Sequence, residues 1–388
     1  MYKNLVNFPG IISRHLSFFE INKTNTKLKI LYISPENTVG TLSLWKKAHE
    51  ARGNQCEFVT MYPSRFHDDN GICLHLPLIK SNPAYMQIRH NYYKLSRGSS
   101  GDYTEKKGYP PTWQPSSPLE KFYFRFRDWL WSNWIEPAIK KYNLLEFDIY
   151  HLEWGLDFYR DGRFAQKLAE MGKPLVCTYH GQDMRTRGVI PAIDKLSNLN
   201  LTGELDLLEK HPHIHYLFLP YDTSIDIPDY EVHSIPMVCH APTNRFYKGS
   251  DDIIPVCEKL AAEKIINFTL VENATHEEVY RVKGNSDILI DQVGNRGGWG
   301  YGMNSVEALS LGKCCLTELT EKYVHFIPDH PFVNINADTL EIQLRELASK
   351  PELISEYKQK SREWVVKYHD MHNTAEKLYS YYKIAGIM

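Results

Sequence analysis

Short apolar runs recur along the chain, and between them lie amphipathic stretches or clusters of turn residues. LKILYIS (28–34) is followed by the turn PENTVG, then by TLSLWKKAHEARG with apolar residues at helical spacing, then by CEFVTMY. That order predicts a buried strand, a loop, a helix stopped by Gly53 and a second strand, the opening of a parallel α/β sheet of Rossmann type. The first turn lacks G-x-G-x-x-G, so a dinucleotide fingerprint is absent. Residues 64–118 interrupt the alternation. There LSRGSSGDYTEKKGYPPTWQPSSP reads as loop or partial disorder, and LEKFYFRFRDWLWSNWIEPAIKKY after it as an aromatic-rich helix. Alternation returns with FDIYHLEWG, RFAQKLAEMGK and PLVCTYHG, and HYLFLP (215–220) predicts the strand that closes the first half.

The stretch YDTSIDIPDYEVHSIP is polar, carries prolines and has no period, which marks a linker. The pattern then restarts with MVCHA, a helix from Ile253 to Lys264, INFTLVE, the helix THEEVYRVKGN, DILIDQ and a short helix around Glu307. CCLTE, FVNI and TLEIQLRELASK follow, and the chain from Pro351 onward is long and amphipathic. Two α/β domains of comparable size are expected, each with a mainly parallel sheet. Ligands of such sheets gather at the C-terminal ends of the strands, here in an interdomain cleft.

Composition narrows the function classes. The chain has 388 residues, 43% hydrophobic and 24% charged, with a net charge of −2 and a pI of about 6.8. That balance gives no basic field for a nucleic-acid partner. No apolar run approaches the roughly 18 residues of a membrane span. The N-terminus, interrupted by Pro9, Arg14 and His15, makes a poor signal peptide. Seven cysteines without C-x-x-C read as reduced thiols, which places the protein in the cytoplasm and supplies no metal site.

Candidate chemistry concentrates in GGWGYGMNSVEALSLGKC (297–314), directly after the strand DILIDQ. Gly300 and Gly302 are read as clearing space for a ligand close to the main chain; the alternative is a plain αβ loop in which the glycines make tight turns. The amides of Met303, Asn304 and Ser305 then open a helix N-terminus suited to phosphate. Glu307, one turn further in, suits a ribose diol; the alternative is a capping or surface glutamate. In HAPTNRFYKGSDDI (240–253), Arg245 and Lys248 form a candidate diphosphate clamp, against the alternative of solvated surface charges. In the first half, His180 and Asp183 begin a turn after a strand and either face the cleft or form a buried turn network. Asp291, at the end of its strand, orients a cation. HPHIH (211–215) is read as a loop entering a strand.

Taken together, these segments resemble the retaining glycosyltransferases of family 4 type with the GT-B fold. YGMNSVEALSLGKCCLTE is similar to their FG-x-x-x-x-EA-x-x-x-G-x-P-V signature, and TYHGQDMRTRG to their HG-x-D-x-R turn. The phosphate segment and the loop ENATHEEVYRVKGNSDILIDQ match in order and spacing, so the resemblance covers nearly the whole chain. It implies a first Rossmann-like, acceptor-binding domain over 1–228, rejoined by a terminal helix at 368–388, and a donor domain over 233–367. It implies transfer of a sugar from a nucleotide-diphosphate donor, UDP being favoured, to a glycan or lipid-linked acceptor in cell-surface polysaccharide or glycoconjugate synthesis. No cofactor and no metal are implied.

By the same resemblance Lys248, with Arg245, holds the diphosphate, and Glu307 binds the ribose. Glu153, His180 and Asp183 act on the acceptor side, while Trp299, Gly300 and Gly302 face the donor sugar. Two positions depart from the family pattern. The usual arginine five before the lysine is Thr243, and the first glutamate of the family's pair falls on Trp299. A nucleotide-sugar epimerase on the same fold and a non-catalytic nucleotide-sugar-binding protein are the competing readings. Residues 119–135, with Lys121, Arg125 and Arg127 beside aromatic side chains, read either as a core helix or as a peripheral contact with the inner face of a membrane.

Overall fold

The computed structural model describes residues 27–37, 39–64, 70–77, 106–181, 183–224, 231–294, 296 and 300–388. Two sheets organise them. The first has β1 (Lys29–Ser34), β2 (Gln55–Thr60), β3 (Ile72–Cys73), β4 (Ile149–Glu153), β5 (Leu175–Tyr179), β6 (Leu199–Thr202) and β7 (His215–Tyr216). Their order is β3-β2-β1-β4-β5-β6-β7, and all the pairs are parallel. The second has β8 (Met237–His240), β9 (Asn267–Leu270), β10 (Ile288–Ile290), β11 (Cys314–Thr317) and β12 (Val333–Asn334), in the parallel order β12-β11-β10-β8-β9.

β1 shows why the apolar runs are unbroken. Ile30, Leu31, Tyr32 and Ile33 are all buried because helices cover both faces of the sheet. Leu31 and Ile33 join a cluster with Trp131 and Ile135 of the helix Pro118–Lys141. Ile30 and Tyr32 face the other way, onto Trp45 of the helix Thr41–Ala51 and onto Leu378 and Tyr382 of the terminal helix Met371–Ile384. The strand order reverses between β1 and β4 in the first sheet and between β8 and β10 in the second. Crevices open at such switch points, beyond the C-terminal ends of the strands.

The apolar pattern located most elements and missed a few for local reasons. HYLFLP forms a strand only at His215–Tyr216, because the chain there leaves the sheet for the second one. Leu199–Thr202 is a full strand that the sequence hides, since LNLT places two polar residues in a stretch buried throughout. The long C-terminal stretch forms two helices, Pro351–His369 and Met371–Ile384. It breaks at Asp370, whose carboxylate caps the new helix by accepting from the amides of His372 and Asn373. The expected linker falls partly on 225–230, as does the limit at 228, and those residues lie outside the described ones.

Candidate functional site

Beyond β8 and β10, four of the singled-out side chains meet. Asp291, at the end of β10, is fully buried. Its Oδ1 accepts from Lys248 Nζ at 2.5 Å and from Asn304 Nδ2 at 2.8 Å, and its Oδ2 from Ser305 Oγ at 2.6 Å. Burial pushes the Asp291 carboxyl up, but the Lys248 ammonium and the bonds from Asn304 and Ser305 outweigh it and hold the group below its ordinary value. Lys248 also donates to Gln292 Oε1 at 3.2 Å, and Gln292 Nε2 donates to the Gly300 carbonyl at 2.5 Å. The turn carrying Lys248 ends at Gly249, φ +63°, where a Cβ would stand 2.3 Å from the Val293 carbonyl. Only glycine lets the segment after β10 lie against that turn.

Other expected members of this cluster are placed differently. Arg245 is half exposed and turned to Glu272, donating from Nε at 2.7 Å and from its terminal nitrogen at 2.5 Å. It therefore stands apart from the Lys248 network. The Ser305 amide already donates to the Gly302 carbonyl at 3.0 Å, which leaves Met303 and Asn304 as the amides at the mouth of the helix Met303–Ser310. Met303 itself packs its side chain against the second core. At Gly300, φ +126°, a Cβ would meet the Tyr323 ring at 2.6 Å, so packing explains that glycine. At Gly302 a Cβ would meet nothing within 4 Å among the described residues, which leave the backbone open there. Trp299 lies outside the described residues.

Glu307 is buried rather than displayed on the surface. His276 Nε2 bonds its Oε1 at 2.8 Å, and Lys283 Nζ donates to its Oε2 at 2.6 Å. Burial raises its pKa, yet the bond from His276 and the charge of Lys283 bring it below the ordinary value; the His276 imidazole is in turn raised, chiefly by its bond to Glu307. Lys283 is only 2% exposed. A lysine near the end of an amphipathic helix carries no sign in sequence that it turns inward, so this partner was missed. A ribose reaching Glu307 must therefore share a carboxylate that already accepts from two groups.

On the facing sheet, Glu153 ends β4 and His180 follows β5 directly. His180 Nε2 lies 2.6 Å from Glu153 Oε2, and both rim a cavity shared with Tyr32, Trp45, Phe218 and Leu378. Asp183 is buried and turned to the main chain, accepting from the amides of His180 at 2.9 and 3.0 Å and of Met184 at 2.6 Å. Its role is to shape the turn that presents His180. His151 likewise faces inward, stacked on Tyr32 and bonded to the Tyr382 hydroxyl.

Burial alone would lower the His180 pKa, but the bond and charge of Glu153 lift it above 6.5. A raised folded value stabilises the fold in full at acid pH, and that contribution fades as pH rises through it. Glu153→Gln is expected to drop the His180 pKa below 6.5, read from its ring protons by NMR titration. An unchanged midpoint would mean that the Glu153 charge does not set it.

No protein-family model and no curated protein matches the sequence. Solved structures match it in fold. Anabaena Alr3699/HepE in complex with UDP gives a TM-score of 0.54 at 10% identity, over 92% of this chain and 100% of that one. An alpha-glucosyltransferase in complex with UDP and a 13-mer DNA gives 0.57 at 9% identity, over 92% and 99%. TarM gives 0.54 at 10% identity, again over 92% and 99%. Identity this low speaks for architecture alone. The chain has the GT-B fold, two parallel α/β sheets whose strand ends face one cleft.

Proposed function

We propose that the chain is a glycosyltransferase that moves a sugar from a nucleotide-diphosphate donor, UDP-linked, to a glycan or lipid-linked acceptor with retention of configuration. The observation that carries it is the Lys248–Asp291–Asn304–Ser305 cluster at the switch point of the second sheet, beside the open backbone of Gly302. A diphosphate there meets the Lys248 ammonium and the amides of Met303 and Asn304, which suits the charge that develops as it leaves. Arg245 joins by exchanging Glu272 for phosphate. Across the cleft, His180 and Glu153 orient the acceptor hydroxyl, and the resemblance supplies the stereochemistry.

Incubation with UDP-sugars, with and without acceptor extract, tests the reading. Product that requires acceptor supports transfer, and conversion of donor alone supports an epimerase. Binding of UDP without turnover leaves a nucleotide-sugar-binding protein.

Residues 119–135 turn out to have two faces. Arg127 and Trp131 belong to the buried one, where Arg127 pairs with Asp128 and lies over the Trp131 ring. Leu119, Phe122, Phe126 and Trp129 are 62, 66, 45 and 63% exposed on the opposite side. Lys121 and Arg125 are the exposed charges of that stretch, since Glu120 and Asp128 are buried. No described helix is long and apolar enough to cross a membrane. We propose that this aromatic, basic face rests on an anionic lipid surface, which brings a lipid-linked acceptor to the cleft. The protein is expected to float with vesicles containing anionic lipid at low salt, and Phe122→Ser with Trp129→Ser to stay behind. Wild-type protein remaining at the bottom of the gradient would refute the contact.

A further inference from the structure

The loop that opens the helix Met303–Ser310 is bonded, through one side chain, to the place where the chain crosses between the sheets. The first crossing leaves β7 and runs through Leu219, Tyr221 and Thr223; the second is the break between the last two helices, His369 to Met371. The two crossings pair with each other. The Tyr221 amide donates to the His369 carbonyl at 2.6 Å, the Met371 amide to the Tyr221 carbonyl at 2.9 Å, and Thr223 Oγ1 to Asp370 Oδ2 at 2.6 Å.

Tyr301, between Gly300 and Gly302, reaches this junction. Its hydroxyl lies 2.9 Å from His369 Nε2, and His369 Nδ1 lies 2.7 Å from the Leu219 carbonyl. A carbonyl only accepts, so Nδ1 carries the proton, Nε2 accepts, and the Tyr301 hydroxyl donates. His369 is buried, and burial lowers its pKa to about 4, so the neutral ring this relay requires is the one present near pH 7. The Tyr301 ring is also packed, with centroids 4.8 Å from Phe332 and 5.7 Å from Trp364. Behind it, the Gly300 carbonyl is held by Gln292, which also contacts Lys248. One line of hydrogen bonds thus runs from the Lys248 cluster through the glycine loop to the crossing.

We propose that Tyr301 and His369 are a positioning pair that fixes the glycine loop to the interdomain crossing, so that the loop and the junction between the sheets shift together. The donor side of this statement rests on the function proposed above; the mechanical link does not. A loop free of the junction could adjust to a nucleotide by itself. A loop tied to it passes part of that adjustment to the angle between the sheets, and by linkage the angle feeds back on nucleotide affinity.

The test is Tyr301→Phe, which keeps the packed ring and removes only the hydroxyl, followed by amide hydrogen exchange. In the ligand-free protein, exchange at Ser305 and Val306 and at Tyr221 and Met371 is expected to rise together by about tenfold, with β1 and β4 unchanged. A rise confined to Ser305 and Val306, or no rise, overturns the pair. With UDP added, wild-type protein is expected to gain protection at Tyr221 and the variant to bind UDP without that gain. Equal gains overturn the coupling. Failure of wild-type protein to bind UDP in calorimetry would overturn the nucleotide reading instead, and the ligand-free exchange would still decide the pair.

Discussion

Lys248→Met combined with Asp291→Asn is expected to give a folded protein that binds UDP roughly ten- to hundredfold more weakly, with uridine binding unchanged. The size follows from the bonds lost: a charge-assisted hydrogen bond contributes about 1.5–3 kcal/mol, and Lys248 shares the Asp291 carboxylate with Asn304 and Ser305 at the helix end. The pair must be changed together, because Lys248→Met alone strands a carboxylate with no access to water. Breaking a buried ion pair from one side costs about 3–5 kcal/mol. The pH sign agrees. Asp291 titrates below its ordinary value, so it stabilises the fold above the unfolded carboxylate range and loses that contribution as pH falls through its folded pKa. Without Lys248, only the bonds from Asn304 and Ser305 oppose burial, and the loss moves towards neutral pH. Urea titration separates the two effects: the single variant should lose stability and the double recover most of it. Full UDP affinity in the double variant would remove Lys248 from the proposed site.

The second large effect concerns stability. Glu307→Ala leaves Lys283, 2% exposed, without its carboxylate partner, and is expected to cost about 3–5 kcal/mol in urea denaturation. Adding Lys283→Met should restore most of it. A fall in nucleotide binding by Glu307→Ala alone therefore says little about ribose recognition. Comparing UDP with its 2′-deoxy analogue on the wild-type protein and on the Glu307→Ala, Lys283→Met pair isolates the diol. Discrimination that vanishes in the double variant supports the ribose contact, and discrimination that persists excludes it. A small stability loss in Glu307→Ala would contradict the buried pair.

Where the chain obeys period and length, the fold could be read directly. The doubly covered sheets announce themselves as unbroken apolar runs such as ILYI and ILI, because both faces of those strands are buried. The site was legible as a neighbourhood rather than as contacts. Gly300 to Glu307 and Arg245 to Lys248 lie after adjacent strands of one sheet, and sequence order alone places them near each other. Which cation turns inward was not legible: Lys248 goes to Asp291 and Arg245 to Glu272, and the difference lies in side-chain direction. Buried partners such as Lys283 and His369 look like ordinary helix-end residues until the surrounding elements assemble. Gly300 is the reverse case, a glycine read for a ligand and explained by Tyr323.

The terminal helix Met371–Ile384 covers one face of β1, with Ala375, Leu378 and Tyr382 in a core built otherwise from the first 220 residues. Two of its tyrosines satisfy buried imidazoles there, Tyr379 at His49 and Tyr382 at His151. In a chain made from its N-terminus, that face waits uncovered while some 150 further residues are translated. The first half cannot finish folding until that helix has been made, and a stop codon just after Asp370 would damage the half of the protein that was made first.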